Sequence, residues 1–303
     1  MMQIPFTKMA GAGNDFIVVD ARHRRFPQLP WRQVSRVWCA RVRGIRADGL
    51  LVLEPSRVAD VRMRVFNPDG SEAEMCGNGA RCVALYLKGM NSGMKEAEDA
   101  IQAIETKAGV LSASVRGERV TMRMMDPTSL QPDVKLNVNG RRIRAGFINT
   151  GVPHLVVPVP RLETVDVEQL GRALRSHRRF APRGTNVNFM QADPRRANRL
   201  LVRTYERGVE AETLACGTGI VASAVMMALF RNRASGIPRA STTNGSRQWW
   251  KLNVQPRSGD WLTVSFDLAF PGQTQRVSNV LLEGAAHMVF RGTANWPRPR
   301  KGV

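Results

Sequence analysis

Two matching stretches decide the fold: Cys76-Gly77-Asn78-Gly79-Ala80-Arg81-Cys82-Val83 and Cys216-Gly217-Thr218-Gly219-Ile220-Val221-Ala222-Ser223. Each places a cysteine before two closely spaced glycines and continues into an apolar run of helical character. Close to half of the 303-residue chain separates the two cysteines. The pattern predicts two similar halves, each offering one thiol at the start of a helix.

The repeat extends upstream of both cysteines. Residues 61–66 and 200–205 have the pattern of strands, and polar turns follow them, Asn-Pro-Asp-Gly in the first half and Glu-Arg-Gly in the second. Strand, polar turn, acidic spacer, cysteine, glycines and helix therefore occur twice in the same order. Such a match indicates a duplicated domain.

Strand patterns outnumber helical patterns along the chain. Helices are predicted at about residues 31–43, 80–88, 167–176 and 219–232, and Asp166 is a suitable N-cap for the third. Because the connections are rich in Gly, Pro and Asp, a simple alternation of strand and helix does not fit. The expected class is α+β, and the breaker-rich stretch from Asp126 to Pro132 predicts the joint between two domains.

Composition restricts the class of protein. Hydrophobic residues make up 43% of the chain and charged residues 23%, as in water-soluble globular proteins. No apolar run reaches the roughly 20 residues that a membrane-spanning helix needs, and no secretory signal pattern is present, so we expect a cytoplasmic protein with no membrane partner. The four cysteines and four histidines lack zinc-type spacing, so no metal is expected, and Cys39 and Cys82 are expected to be buried.

The net charge of +20 would attract polyanions. The basic residues are dispersed, however, no nucleic-acid-binding motif is present, and aromatic residues are only 6% of the chain. We expect a solvated basic surface, with nucleic-acid binding as a distant alternative.

A thiol at a helix start can act as an acid or a base. The positive end of the helix dipole favours thiolate and lowers the cysteine pKa, and the free N–H groups beside it can hold a carboxylate. Two such starts acting on one substrate would place a sulfur on each side of an α-carbon. One thiolate would then remove the α-proton while the other thiol delivers a proton to the opposite face. The carbanion-like transition state would be stabilised by preorganised dipoles, since no pyridoxal-phosphate signature is evident.

Three other interpretations of the cysteines stay open. One cysteine could attack a carbonyl with His154 as its base, which leaves the second cysteine unexplained. Cys76 and Cys216 could form a redox pair, or both could be structural.

The motifs around these cysteines resemble those of diaminopimelate epimerases. The similarity is carried by segments at residues 8–16, 46–51, 66–72, 75–82, 185–189, 205–208, 212–219 and 282–286. The resemblance implies an isomerase that interconverts LL- and meso-2,6-diaminopimelate without a cofactor, in lysine and peptidoglycan precursor synthesis. The alternative is a racemase or epimerase of the same fold acting on another amino acid, such as hydroxyproline.

The resemblance also implies roles for individual residues. Cys76 and Cys216 become the two acid/base groups, and His154 and Glu206 tune their pKa values. The residues implied to hold the substrate are Asn14, Asn67, Gly77, Asn78, Asn186, Glu206, Arg207, Gly217 and Thr218. Two positions depart from the family pattern: Val152 stands where asparagine is common, and Ala10 stands where histidine is common.

The architecture implied by the resemblance is a pair of pseudo-symmetric, strand-rich domains, each wrapped around a central helix. We expect the first domain at residues 1–128, the second at residues 129–277, a C-terminal strand at 278–293 that returns to the first domain, and a basic tail at 294–303. The family further implies a homodimer.

Overall fold

The computed structural model describes residues 2–22, 29–90, 101–138, 140–234, 247–270 and 275–297. The chain divides into two units, one made of residues 1–122 and 284–303 and the other of residues 123–283. The domain limits expected from the sequence stay a prediction. No described helix is long and apolar enough to span a bilayer.

Unit 1 is built from strands and two helices. The strands are β1 (Met2–Gly11), β2 (Asn14–Asp20), β3 (Gly49–Glu54), β4 (Val61–Phe66), β5 (Glu72–Ala73), β6 (Ile101–Thr106), β7 (Gly109–Arg116) and β8 (Arg119–Arg123). The helices are α1 (Trp31–Trp38) and α2 (Gly77–Met90). Strand β2 pairs with β1 antiparallel and with β3 parallel, while β4 pairs with β3 and β5 antiparallel and with β6 parallel.

Unit 2 repeats this order of strands. Its strands are β9 (Thr128–Val138), β10 (Arg141–Asn149), β11 (Pro153–Pro158), β12 (Asn186–Ala192), β13 (Arg199–Glu206), β14 (Ala211–Thr213), β15 (Gln248–Gln255), β16 (Leu262–Ala269) and β17 (Arg276–Ala285). Its helices are α3 (Val167–Arg175) and α4 (Gly217–Ala234), with short 3-10 turns at Leu162–Thr164 and Arg178–Phe180. Strand β11 pairs with β10 antiparallel and with β12 parallel, and β13 pairs with β12 and β14 antiparallel and with β15 parallel.

The last strand, β18 (His287–Trp296), pairs antiparallel with β1 inside unit 1. Residues 294–296, which the sequence assigned to a basic tail, belong to this strand, because Ala294 and Trp296 face Ile4 and Met2 and pack against the unit 1 core. The rest of that tail, residues 298–303, lies outside the described residues.

Each unit is wrapped around one helix. Helix α2 contacts β1, β2, β4, β6, β7 and β18, and helix α4 contacts β9 to β13, β15 and β16. Helix α4 is apolar on all sides from Ile220 to Leu229, apart from Ser223, whose hydroxyl donates to the Gly219 carbonyl at 2.8 Å. A helix of this composition must be enclosed to be stable. The α+β class with two strand-rich units around central helices is confirmed.

The stretch predicted as a joint is largely strand. Residues 128–132 belong to β9, whose pairing with β10 shifts register where residues 131–134 lie opposite Ala145 to Phe147. Pro132 therefore lies at a bulge, where the N–H group that proline lacks is not needed by the ladder.

The four predicted helices are present with changed ends. Helix α1 ends at Trp38, because the Trp38 carbonyl accepts the N–H of Ile45 at 2.7 Å as the chain folds back. Asp166 caps α3 as predicted, its side chain accepting the N–H of Gln169 at 2.9 Å. Cys39 and Cys82 are buried as predicted.

Candidate active site

Cys76 stands immediately before helix α2. Its carbonyl accepts the N–H of Ala80 at 2.8 Å, and its Sγ accepts the N–H of Gly79 at 3.4 Å. Cys76 therefore occupies the N-cap position, with sulfur in the place of the usual side-chain oxygen. The helix begins at Gly77 rather than at Ala80 as predicted from the sequence, so both glycines lie in its first turn.

Cys216 caps helix α4 in the same way. Its carbonyl accepts the N–H of Ile220 at 2.9 Å, and the backbone N–H groups of Thr218 and Gly219 donate to its sulfur. The Thr218 hydroxyl oxygen lies 3.4 Å from the same sulfur. The N-terminal amides of both helices are thus directed at a cysteine. Each thiol lies at the start of a helix, as the duplicated motif predicted.

Burial decides the charge of Cys216. Removal from water and, to a smaller extent, the nearby Glu206 carboxyl raise the pKa of its thiol to about 12, although Thr218 and the helix amides oppose the change. The expected net lowering of the pKa by the helix start is therefore wrong for Cys216, because desolvation of a thiolate outweighs the N–H donors. Cys216 carries its proton at neutral pH.

Two groups predicted to tune the thiols lie in the Cys216 half. The His154 Nε2 atom is 3.0 Å from the Thr218 hydroxyl oxygen. His154 is fully buried, and burial together with the positive charge of Arg207 lowers its pKa to about 3, so the ring is neutral at physiological pH. Burial also raises the pKa of Glu206.

The predicted substrate residues of unit 1 fall into two places. At the start of α2, the Asn78 Nδ2 group donates to the Asn14 Oδ1 atom at 2.6 Å, and Asn14 donates to Asp48 at 3.0 Å. Asn67 instead lies in the turn after β4, where its Nδ2 group donates to the Ser71 hydroxyl at 2.9 Å. The structure therefore joins Asn14 to Asn78 by a hydrogen bond, and Asn67 bonds within its own turn.

The predicted distal residues of unit 2 are held by backbone contacts. The Asn186 Oδ1 atom accepts the N–H of Arg207 at 2.8 Å, and an Arg207 guanidinium N–H donates to the Arg183 carbonyl at 3.4 Å. Asn186 pairs across the β11–β12 ladder with His154, at the edge of the same site. Substrate contacts by these residues stay a prediction.

Glycine is needed at Gly219 for space. A Cβ atom there would lie 2.3 Å from the Asn188 Oδ1 atom. At Gly77, by contrast, a Cβ atom would meet no described atom within 4 Å beyond its own helix and chain neighbours. Gly219 therefore packs against a polar side chain, whereas Gly77 leaves the start of α2 accessible to a ligand.

Two residues at the site were missed as site residues from the sequence. Asn188 bonds to His154 at 3.0 Å, and the Arg81 guanidinium, fully buried, donates to the Asn78 Oδ1 atom at 2.6 Å. The signal for Asn188 was its position two residues after Asn186 in a strand, which puts both side chains on one face. No comparable signal marks Arg81.

Of the two departures from the family pattern, one lies in a connection and the other in a strand. Val152 lies between β10 and β11, where its carbonyl accepts the N–H of Thr150 at 3.1 Å. Ala10 lies in β1 directly opposite Asp15 and His287. Val152 directly precedes Pro153, the first residue of β11, and Ala10 directly precedes Gly11, the last residue of β1.

A cavity of about 980 Å³ in unit 2 is separate from these residues. It is formed by the β9–β10 hairpin and the second 3-10 turn, and its charged lining residues are basic: Lys135, Arg142, Arg144, Arg178 and Arg179. None of the predicted site residues lines it.

Comparisons with known proteins agree with the geometry. The family model for diaminopimelate epimerase matches residues 6–130 and 146–250. The diaminopimelate epimerase of Aquifex aeolicus is 40% identical over 300 residues, covering 95% of this chain and 96% of that one. The diaminopimelate epimerase of Methanocella arvoryzae is 38% identical over 308 residues, covering 96% and 97%.

Solved structures share the fold at lower identity. A phenazine biosynthesis protein of the PhzF family from Bacillus anthracis superposes with a TM-score of 0.67 at 19% identity, covering 98% of this chain and 100% of that one. A hydroxyproline epimerase from Agrobacterium vitis superposes with a TM-score of 0.65 at 18% identity, covering 96% and 92%. With the family model covering most of the sequence and close relatives matching almost end to end, this chain belongs to the diaminopimelate epimerase family.

Proposed function

We propose that this chain is an isomerase that interconverts LL- and meso-2,6-diaminopimelate, with Cys76 and Cys216 as its acid/base pair. The observation that carries the proposal is the duplicated cap, in which each cysteine sulfur accepts N–H groups from the first turn of a helix. Family membership supplies the substrate. The reaction would serve lysine and peptidoglycan precursor synthesis.

Each cysteine has a defined part in this reaction. As a thiolate, Cys76 takes the α-proton, so that the C–H bond breaks, its electron pair stays on carbon and an S–H bond forms. Cys216 gives its proton to the opposite face of the carbon and is left as a thiolate. Because the pKa of Cys216 is high, about 12, Cys216 is the proton donor in the direction in which Cys76 is the base. The parts exchange when the substrate has the opposite configuration.

The substrate carboxylate next to the reacting carbon would bind at the helix starts. The first N–H groups of α2, on Gly77 and Asn78, have no acceptor within the helix, and those of Gly217 and Thr218 begin α4. In this proposal Glu206 binds near the reacting amine, while Asn14, Asn67, Asn186 and Arg207 hold the distal end of the substrate. Arg207 suits a carboxylate, because its guanidinium can bond both oxygens.

Solvent exchange tests the two-base assignment. In deuterium oxide under reducing conditions, the protein should introduce deuterium at the α-carbon of diaminopimelate while LL and meso isomers interconvert. Cys76→Ala and Cys216→Ala should each abolish epimerisation, and Cys39→Ala, a buried cysteine outside the motif, should retain it. Full turnover by either of the first two variants would overturn the assignment.

Substrate choice needs a panel of amino acids. Circular dichroism should show inversion of diaminopimelate and none of proline or hydroxyproline, because those substrates lack the second charged end that Arg207 and the asparagines would hold. Inversion of hydroxyproline without inversion of diaminopimelate would favour the alternative substrate.

Nucleic-acid binding is the other candidate, and the basic cavity of unit 2 is the observation that favours it. It predicts tight binding of duplex DNA that weakens steeply as salt rises. We expect no binding at about 150 mM salt, measured by fluorescence anisotropy.

A cytoplasmic location and a homodimer are further parts of the proposal, and light scattering of the purified protein tests the dimer.

A further inference from the structure

A line of hydrogen bonds leads from the interior of unit 2 to the Cys216 sulfur. The Asn188 Nδ2 atom is 3.0 Å from His154 Nδ1, and His154 Nε2 is 3.0 Å from Thr218 Oγ1. The Thr218 hydroxyl oxygen is 3.4 Å from Cys216 Sγ. Asn188 and His154 are both fully buried, so protein partners alone determine the direction of these bonds.

The orientation of the Asn188 amide is determined by its neighbours. Its Nδ2 group lies 3.4 Å from the Leu155 carbonyl, which can only accept, and its Oδ1 atom accepts the Thr204 hydroxyl at 3.0 Å. A flipped amide would place its oxygen against the Leu155 carbonyl oxygen. The nitrogen side therefore faces His154, and Gly219 closes the space beside the oxygen side.

The amide orientation selects one tautomer of His154. An amide nitrogen only donates, so the His154 Nδ1 atom must accept. Because His154 is neutral, with a pKa of about 3, its single ring proton is then on Nε2. The Nε2–H group points at the Thr218 hydroxyl oxygen, which accepts it.

The tautomer determines what Thr218 can give to Cys216. A threonine hydroxyl has one hydrogen to donate. When Nε2–H donates to Thr218, that hydrogen is left for the Cys216 sulfur. In the other tautomer, Nε2 would take the hydroxyl hydrogen, and a thiolate at Cys216 would face a lone pair.

We propose that Asn188 is a positioning residue for the epimerase reaction: it sets the His154 tautomer and thereby keeps the Thr218 hydroxyl as a donor to the Cys216 thiolate. The inference rests on the proposed function, since it concerns the step after Cys216 has given up its proton. At that step a buried negative charge stands beside Glu206, and each donor to the sulfur opposes its cost. Arg207 is the charged group that acts on the His154 ring.

Nitrogen NMR of ¹⁵N-histidine-labelled protein tests the tautomer without substrate. The wild-type His154 signals, identified by their absence in a His154→Gln variant, should be those of the Nε2–H tautomer. Asn188→Asp replaces the donor by an acceptor, so His154 should change to the Nδ1–H tautomer, whose Nε2 takes the Thr218 hydroxyl hydrogen. Asn253→Asp is the matched control, because the Asn253 Oδ1 atom also accepts a threonine hydroxyl, that of Thr263 at 3.0 Å; it should leave the His154 signals unchanged.

Kinetics provide the second measurement. Loss of one hydrogen bond to a charged group should lower kcat for diaminopimelate by roughly tenfold to a hundredfold in Asn188→Asp, with KM changed by less than about threefold. Thr218→Val should lower kcat to the same extent while the His154 tautomer stays as in the wild type, and Thr218→Ser should restore most of kcat. This pair tests the last link even if Asn188→Asp does not fold.

Several results would overturn the proposal: a wild-type Nδ1–H tautomer, a His154 signal indifferent to Asn188→Asp, or full kcat in Thr218→Val. Failure of the proposed function has a different signature. The wild-type protein would then show the Nε2–H tautomer and its change in Asn188→Asp, yet would not invert diaminopimelate.

Discussion

The starts of helices α2 and α4 share one backbone arrangement, but different side chains support each of them. Behind the α2 start is a network with charged groups, in which the Arg81 guanidinium bonds Asn78, Asn78 bonds Asn14, and Asn14 bonds Asp48. Behind the α4 start is a neutral chain of Thr204, Asn188, His154 and Thr218. Duplication has therefore kept the cap and replaced the groups that support it.

The charged network continues away from the helix. Asp15 and Asp48 each accept the backbone N–H of the other, at 2.9 and 3.1 Å, and the Lys8 ammonium bonds Asp15 at 2.9 Å. Opposite charges in contact allow such groups to lie near the core. The neutral imidazole of His154, in the Cys216 half, needs no opposite charge beside it. A thiolate at Cys216, however, must be stabilised by N–H and O–H dipoles. The raised pKa of Cys216 teaches that a helix start alone does not determine a thiol pKa.

The largest expected effect comes from a methyl group at Gly219. In Gly219→Ala the Cβ atom would lie 2.3 Å from the Asn188 Oδ1 atom, and the buried amide has little room to move. We expect a loss of about 2 kcal/mol in the free energy of unfolding, measured by urea denaturation, together with a fall in kcat.

Gly77→Ala places a methyl group two residues earlier in the motif, at the start of α2, where the space is open. Its Cβ atom meets no described atom within 4 Å beyond its own helix and chain neighbours, so stability should stay within about 1 kcal/mol of wild type. KM for diaminopimelate should rise, because the methyl group enters the space proposed for the carboxylate. Equal destabilisation by the two variants would contradict the difference in packing between Gly219 and Gly77.

Glu72 tests an ion pair in strand β5, a short distance before Cys76 in the sequence. Its carboxylate bonds Arg64 at 2.8 Å and Lys107 at 2.9 Å, and these contacts lower its pKa from 4.5 to about 2. A carboxyl with a lowered folded-state pKa stabilises the protein above its unfolded-state pKa, and the effect is lost as pH falls toward 2. Glu72→Gln should therefore cost about 1–2 kcal/mol at pH near 7 and progressively less below a pH of about 4.5.

The control for this variant is Glu118→Gln, an exposed acid of the same unit, which should change stability by less than about 0.5 kcal/mol. Urea unfolding at several pH values measures both. A Glu72→Gln deficit that grows as the pH is lowered would show that the pKa of Glu72 is not depressed. Glu212, which bonds Arg203 at 2.7 Å four residues before Cys216, is the equivalent position in unit 2.

The smallest effect is expected at an ordinary cap. Asp166 caps α3 with an oxygen, whereas α2 and α4 are capped by sulfur. Asp166→Ala should lower the free energy of unfolding by about 1 kcal/mol, since the N–H of Gln169 loses its acceptor. Activity should not change, because α3 carries none of the proposed site residues. A fall in kcat without a fall in stability would indicate a role for α3 in the reaction.

Local signals predicted much of the fold. The cysteine–glycine motifs, the Asp166 cap and the apolar run of α4 each depend on neighbours in sequence, so the helices were found with ends wrong by a few residues. The strand at residues 128–132 was not predicted, because a proline is compatible with a strand only when a bulge or edge lies beside it. The bulge depends on how β10 pairs with β9, so the sequence of β9 alone does not reveal it.

The candidate site could be predicted only in part, because some of its contacts join residues that are far apart in the sequence. Cys76 and Cys216 stand out in the sequence, but the bond between Asn188 and His154 depends on the parallel pairing of β11 with β12, which joins residues 34 positions apart. The hydrogen bond between Asn78 and Asn14 likewise joins residues 64 positions apart.

The sequence by itself determined that two helices begin at cysteines and that the chain is a duplicated α+β protein of this family, because caps, periodicity and motifs are local properties. Tertiary structure alone decided the electrostatics of the Cys216 thiol. Burial raises the pKa of Cys216 against the pull of its helix, and the amide of Asn188 selects the tautomer of His154. Both effects depend on desolvation and on donors brought from other strands, which no stretch around the cysteine contains.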